Sequence, residues 1–119
     1  MGNIGLAEFK DADQAFVSLD HYSMLKRHRV NAGDLLVAGL GDSRNHVGRA
    51  CVAPDLGRAI VKADCYCAGV NRDRAIPEFL ALFLSSPRGA DQVAVAARGT
   101  TRSRINIDIA KEIQVPWIE

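Results

Sequence analysis

Two stretches of this 119-residue chain concentrate side chains suited to gripping an anion or reading hydrogen-bonding edges. Arg98-Gly99-Thr100-Thr101-Arg102-Ser103-Arg104 sets guanidiniums and hydroxyls side by side, around a glycine that lets a backbone approach closely. Such groups suit phosphate oxygens, and an arginine can also fork onto O6 and N7 of guanine in the major groove. A helix expected to start near Asn106 would add unsatisfied backbone N–H groups beside them. The same residues also make an ordinary solvated connection, in which Ser and Thr hydroxyls satisfy local backbone. The second stretch is Gly41-Asp42-Ser43-Arg44-Asn45-His46, with Arg49 just beyond it. Arg44, Asn45 and His46 carry donors and acceptors able to tell base edges apart, although the tip of a long hairpin has the same composition. Asp42 would repel phosphate unless it accepts from cytosine N4. A third basic run, Lys26-Arg27-His28-Arg29, follows a predicted helix, where positive charge also suits the helix dipole. Both readings of that run stay open. Arg72-Asp73-Arg74 is expected to pair with itself at the surface.

Cys51, Cys65 and Cys67 are the residues that would support metal or thiol chemistry. Cys65 and Cys67 fall two apart in a predicted strand and so point to one face. A closed zinc site needs two further ligands at short spacing, and His21, His28 and His46 are scattered singly. The thiols are therefore expected in the core, as small apolar groups. A small enzyme using a cysteine or histidine would need a base beside its nucleophile, and no spacing here provides one. The chain is expected to be no enzyme and to need no cofactor. Tyr22, Tyr66 and Trp117 are too dispersed to form a stacking platform for single strands.

Composition bounds these readings. Apolar residues make up 48% and charged residues 24%, the balance of a chain that folds around one core. Fifteen basic side chains against fourteen acidic ones leave a formal charge of +1, so a nucleic-acid partner must be argued from where charge sits. No apolar run reaches the roughly 18 residues of a membrane span, and Met1-Gly2-Asn3-Ile4-Gly5 has no secretory pattern. A soluble cytoplasmic protein of one domain, residues 1–119, is expected.

The elements that position these residues are predicted as follows. Ile4–Phe9 reads as a short strand, and Ser18 caps a short helix reaching Lys26. Gly33 serves a turn at positive φ. Leu35–Leu40, Val47–Ala53 and one or two strands within Ala59–Val70, bent near Ala63-Asp64, form an antiparallel β-meander. Pro77 and Glu78 open a helix that buries Phe79, Leu80, Phe83 and Leu84. Ser86-Pro87 opens a second, lined by Ala90, Val93, Ala94 and Ala97 and stopped at Gly99. Asn106 caps a last short helix through Glu112, and Ile113-Gln114-Val115 leaves as a strand. The fold class is α/β of the α+β type.

The order of Gly33-Asp34-Leu35-Leu36-Val37, a polar glycine-bearing loop, Val47-Gly48-Arg49-Ala50, a helix ending Phe83-Leu84-Ser85-Ser86-Pro87, Ala97-Arg98-Gly99-Thr100-Thr101, Ile105-Asn106 and Ile113-Gln114-Val115-Pro116 carries a resemblance. Together these pieces resemble the target recognition domain of the specificity (S) subunit of type I restriction–modification systems. The resemblance implies a non-catalytic reader of duplex DNA whose partner methyltransferase and restriction subunits do the chemistry. It also implies a module shortened before the Gly33-Asp34 strand, without a second recognition domain or spacer helices. The sequence agrees with a non-catalytic role: it has no S-adenosylmethionine glycine loop, no Asn/Asp-Pro-Pro-aromatic motif and no Walker loop. The alternative is a protein-interaction or oligomerisation module of the same fold, such as a homodimer, motivated by the apolar end Val115-Pro116-Trp117-Ile118.

Overall fold

Leu35-Leu36-Val37-Ala38 is apolar at every position and buried at every position. A strand of that kind needs cover on both faces and a neighbour on each edge. This strand, β1 (Leu35–Ala38), lies between β2 (Ala50–Val52) and β3 (Cys65–Ala68), antiparallel to both. The computed structural model describes residues 2–11, 16–42, 44–96 and 105–116. Its helices are α1 (Leu19–Met24), α2 (Pro77–Ser85), α3 (Pro87–Ala96) and α4 (Ile107–Lys111), with a 3-10 turn at Lys26–His28. The class is α+β, as expected. The strand order β2-β1-β3 departs from a sequential meander, because β3 crosses to the far edge of β1. The intervening chain is held against residues 28–30: Val30 N–H donates to Ala59 O at 2.9 Å and Val61 N–H to His28 O at 2.8 Å.

Register sorts the side chains into two apolar layers. Leu36 pairs with Cys51 and Cys67, and Ala38 with Cys65, on the face that also buries Ile4, Val30 and Ala53. Leu35 and Val37 pair with Val52, Ala50 and Tyr66 on the other face, where α2 contributes Ala81 and Leu84. The cysteines thus pack as core, Cys51 wholly and the other two half-buried. Burial pushes the Cys51 thiol up to about 11. Burial, with a hydrogen bond to the Asp34 carboxylate at 3.3 Å, pushes Cys67 up to about 12. Protonated thiols of this kind are poor nucleophiles and poor metal ligands.

Local chemistry sets the helix ends. Pro87 forces Ser86 into extended backbone (φ −79°, ψ 165°), which ends α2 and opens α3. A Cβ on Gly89 would stand 2.5 Å from Phe83 O, so the first turn of α3 can press on the last turn of α2 only with glycine there. Ser18 Oγ accepts from His21 N–H at 3.1 Å, and Asn106 Oδ1 from Ile109 N–H at 2.9 Å, as their sequence positions predict. Gly33 and Asp64 take the positive φ values, 89° and 63°, that the expected turn and bend require.

Three expected elements differ. Ile4 and Phe9 bridge each other across a tight turn, with Gly5 N–H donating to Glu8 O, in place of a strand. Helix α1 buries none of its residues, and Leu19 and Met24 point to solvent. Ile113–Val115 is no strand; the Gln92 side-chain amide instead takes both backbone groups of Gln114, at 2.8 and 3.0 Å.

Ser85 joins the layers at the outer edge of β2. Its hydroxyl donates to Ala50 O at 2.9 Å and accepts from Ala50 N–H at 3.1 Å and Ala7 N–H at 2.9 Å. Replacing Ser85 with Ala should lower stability by about 2 kcal/mol, because Ala50 N–H loses its acceptor, while Ala7 N–H keeps Ala50 O at 3.0 Å. Urea unfolding of parent and variant measures this, and an unchanged midpoint would show the hydroxyl to be dispensable.

Candidate nucleic-acid interface

Gly39, directly after β1, joins residues distant in sequence. Its N–H donates to Asp64 O at 2.7 Å, and its carbonyl accepts from Ile105 N–H at 3.0 Å. A Cβ there would lie 2.7 Å from Asp64 O and 3.0 Å from Tyr66 Cε2, too close for any side chain. The Tyr66 hydroxyl donates to Ile105 O at 2.8 Å, so both backbone polar groups of Ile105 are tied to the sheet. The Ile105 side chain is buried with Val47 and Val93. Gly48, at φ 86°, lets α3 rest on its backbone: a Cβ would stand 2.7 Å from Val93 Cγ2.

These contacts relate the two predicted stretches. Ile105 follows Arg104, Val93 lies on the helix leading toward Arg98, and Val47 follows His46. Val47, Val93 and Ile105, each near one of the polar stretches in sequence, thus form one apolar cluster beside Gly39. Arg98, Thr100, Thr101, Arg102, Ser103 and Arg104 themselves lie outside the described residues, as do Ser43 and Trp117.

Asp42 organises the first loop. Its Oδ1 accepts from the N–H groups of Arg44 and Asn45, both at 2.8 Å, and its own N–H donates to Asn45 O at 2.9 Å. Those backbone hydrogen bonds hold its carboxyl below the usual value. The carboxylate is thus engaged with its own turn, and Arg44 is left exposed with Asn45 half-buried beside it.

Two expected contact residues turn inward. Arg49 is 3% exposed. Its Nε donates to Ile4 O at 2.6 Å, and its Nη1 to Leu40 O at 2.9 Å and His46 O at 3.2 Å. The guanidinium pins the N-terminal turn, the end of β1 and the loop together, so it is not a surface cation. Burial pushes its pKa down, opposed by the nearby Asp42 charge. His46 Nε2–H donates to Leu84 O at 2.9 Å, satisfying a carbonyl at the end of α2. The ring serves the helix and not a base edge. Arg72, expected to pair with Asp73, instead meets Glu78 at 3.8 Å.

Residues that sequence reasoning passed over carry this arrangement: Gly39, Tyr66 and Ser85. Gly39 had a legible signal, since a lone glycine within an apolar strand pattern marks a close backbone approach. Tyr66 and Ser85 had none. Among the described residues no group of three or more His, Cys, Asp or Glu is placed to hold a metal ion, and no helix is long and apolar enough to cross a membrane. In comparisons with known proteins, no family model, curated protein or solved structure matches the chain.

Arg49→Ala should cost about 3 kcal/mol or more, because it strips a charged donor from buried carbonyls. Chemical denaturation reads this directly, and a loss below about 1 kcal/mol would mean water substitutes for the guanidinium. For Asp42, the folded pKa lies below the unfolded value of about 3.9, so its contribution is present above that pH and fades as pH falls through the folded value. The Arg44 and Asn45 amide resonances should shift together on that acid limb. Titration at the ordinary carboxylate value would contradict the turn.

Proposed function

We propose that this chain is a non-catalytic module that recognises duplex DNA in a sequence-specific manner, as the target recognition domain of a type I specificity subunit does. The observation carrying this reading is a shared base. Ile105, which follows the Arg98–Arg104 stretch in sequence, is hydrogen-bonded to Gly39 and buried with Val47, which follows the loop ending at His46. A recognition surface built from loops needs such a base, because ordering loops at binding costs affinity.

The roles divide by chemistry. Arg44 and Asn45 read base edges from a turn held by Asp42. Arg98, Arg102 and Arg104, with the hydroxyls of Thr100, Thr101 and Ser103, hold phosphate and supply the salt-sensitive part of the affinity. The order of sequence fragments over residues 33–116 supports the same reading. Methylation and cleavage belong to partner subunits, and the protein works in the cytoplasm.

A second reading, a protein-interaction or homodimer module, is favoured by α2, whose outer side exposes Ile76, Phe79 and Leu82 at helical spacing. Selection from a random duplex pool, with and without a type I methyltransferase subunit, separates the two. The first reading expects a half-site motif, and Arg102→Ala with Arg104→Ala should reduce the log–log salt slope by up to about 1.8, at about 0.9 per phosphate contact. An unenriched pool, together with a dimer by light scattering, would transfer the assignment to the second.

A further inference from the structure

The basic run Lys26–Arg29 acquires a partner strand that the sequence alone does not reveal. Arg29 bridges Ile60 in antiparallel fashion, flanked by the Val30–Ala59 and Val61–His28 hydrogen bonds. Residues 28–30 and 59–61 thus form a short two-stranded ribbon, continued by the 3-10 turn at Lys26–His28 and flanked by Arg58 and Lys62. Side chains alternate along such a ribbon, and Val30, Ala59 and Val61 pack inward on the sheet. Arg29, Arg58 and Lys62 accordingly fall on the opposite, outward side, and Lys26 and Arg27 are exposed in the adjoining 3-10 turn. Neither segment contains Asp or Glu; the nearest carboxylates in sequence are Asp34, Asp55 and Asp64.

Two further observations point to an anion from outside. The Arg29 guanidinium lies over the Tyr22 ring, 4.6 Å from its centroid, and its buried Nε has no hydrogen-bond partner among the described residues. None of these cations is ion-paired with a described carboxylate; the described pair is Arg72–Glu78. A stacked, preorganised guanidinium is suited to a phosphate oxygen through its terminal amino groups, its buried Nε being closed to one. Secondly, five of the fifteen basic side chains sit on this ribbon and its turn, which leaves the rest of the chain net acidic. The charge is local even though the total is +1.

We infer that the ribbon, with its 3-10 turn and the flanking Arg58 and Lys62, is a backbone-contact surface for duplex DNA, supplying sequence-independent affinity through phosphates. The inference rests on the reading of the chain as a DNA-recognition module and assigns part of that work to a surface outside the two loops. Its Lys62 end lies close in sequence to Asp64, the hydrogen-bond partner of Gly39, so the ribbon leads to the junction of Gly39, Asp64 and Ile105.

The test is the salt dependence of affinity for a random-sequence labelled duplex, read by fluorescence anisotropy. Arg29→Ala/Arg58→Ala/Lys62→Ala should lower the log–log slope by up to about 2.7, at about 0.9 per contact. Arg58→Ala/Lys62→Ala leaves the Tyr22–Arg29 stack in place and should lower it by up to about 1.8, with the circular dichroism of the parent. Arg58→Lys should retain the parent slope. Slopes equal to the parent's in both alanine variants would overturn the inference. Arg44→Ala/Asn45→Ala separates it from the parent reading, since that change should abolish preference for a selected motif while keeping the slope. A parent that binds all duplexes alike, with a slope lost in the ribbon variants, would refute sequence-specific recognition and uphold the ribbon. A parent that prefers one motif, with ribbon variants of unchanged slope, would do the reverse. A parent that binds no duplex would refute both.

Discussion

The architecture depends on a backbone contact that admits no side chain. At Gly39 the chain leaves the central strand and immediately meets Asp64 on one side and Ile105 on the other. Each of those contacts is a single hydrogen bond, modest in net worth. Their joint effect is larger than that worth suggests, because they bring residues far apart in sequence to one place. The loop after β1, the entry to β3 and the entry to α4 all become neighbours through it. Tyr66 and Val93 close the same point with a hydroxyl and an isopropyl group, one polar and one apolar. One backbone position thus ties the central strand to β3 and to the start of α4.

Much of this was legible in the sequence where local chemistry decides the outcome. The apolar run at Leu35, the caps Ser18 and Asn106, the Ser86-Pro87 break and the Gly33 turn each follow from one residue's intrinsic preference, and each sits where expected. What failed was whatever depends on partners distant in sequence. Ile113–Val115 has strand-like residues, yet no strand edge is offered to it, and a glutamine side chain takes that place. Ile4–Phe9 alternates like a strand but closes on itself, with Ala7 held at φ 56°. The pairing of residues 28–30 with 59–61 leaves no trace in composition.

Within the loop after β1 two expected contact residues were misread, and charge explains why. Arginines near a polar loop look alike in sequence, whether they face water or carbonyls. Arg49 lies among the carbonyls of Ile4, Leu40 and His46, and its neighbour Arg44 does not. Histidine carries the same ambiguity: His46 satisfies the end of a helix, a task its type does not announce. Counting cations along the chain therefore overstates the surface charge of one loop and understates that of the ribbon, where the residues come from two segments.

The hydroxyl of Ser85 has a consequence beyond holding α2 on the sheet. The outward-facing N–H and C=O of Ala50 would otherwise be an open template on the rim of β2, the feature through which sheets recruit foreign strands and grow into aggregates. Here one oxygen atom and the Ala7 amide occupy that template. At Ala50 the rim of a small three-stranded sheet thus offers a foreign strand no free backbone pair, through a side chain no larger than serine.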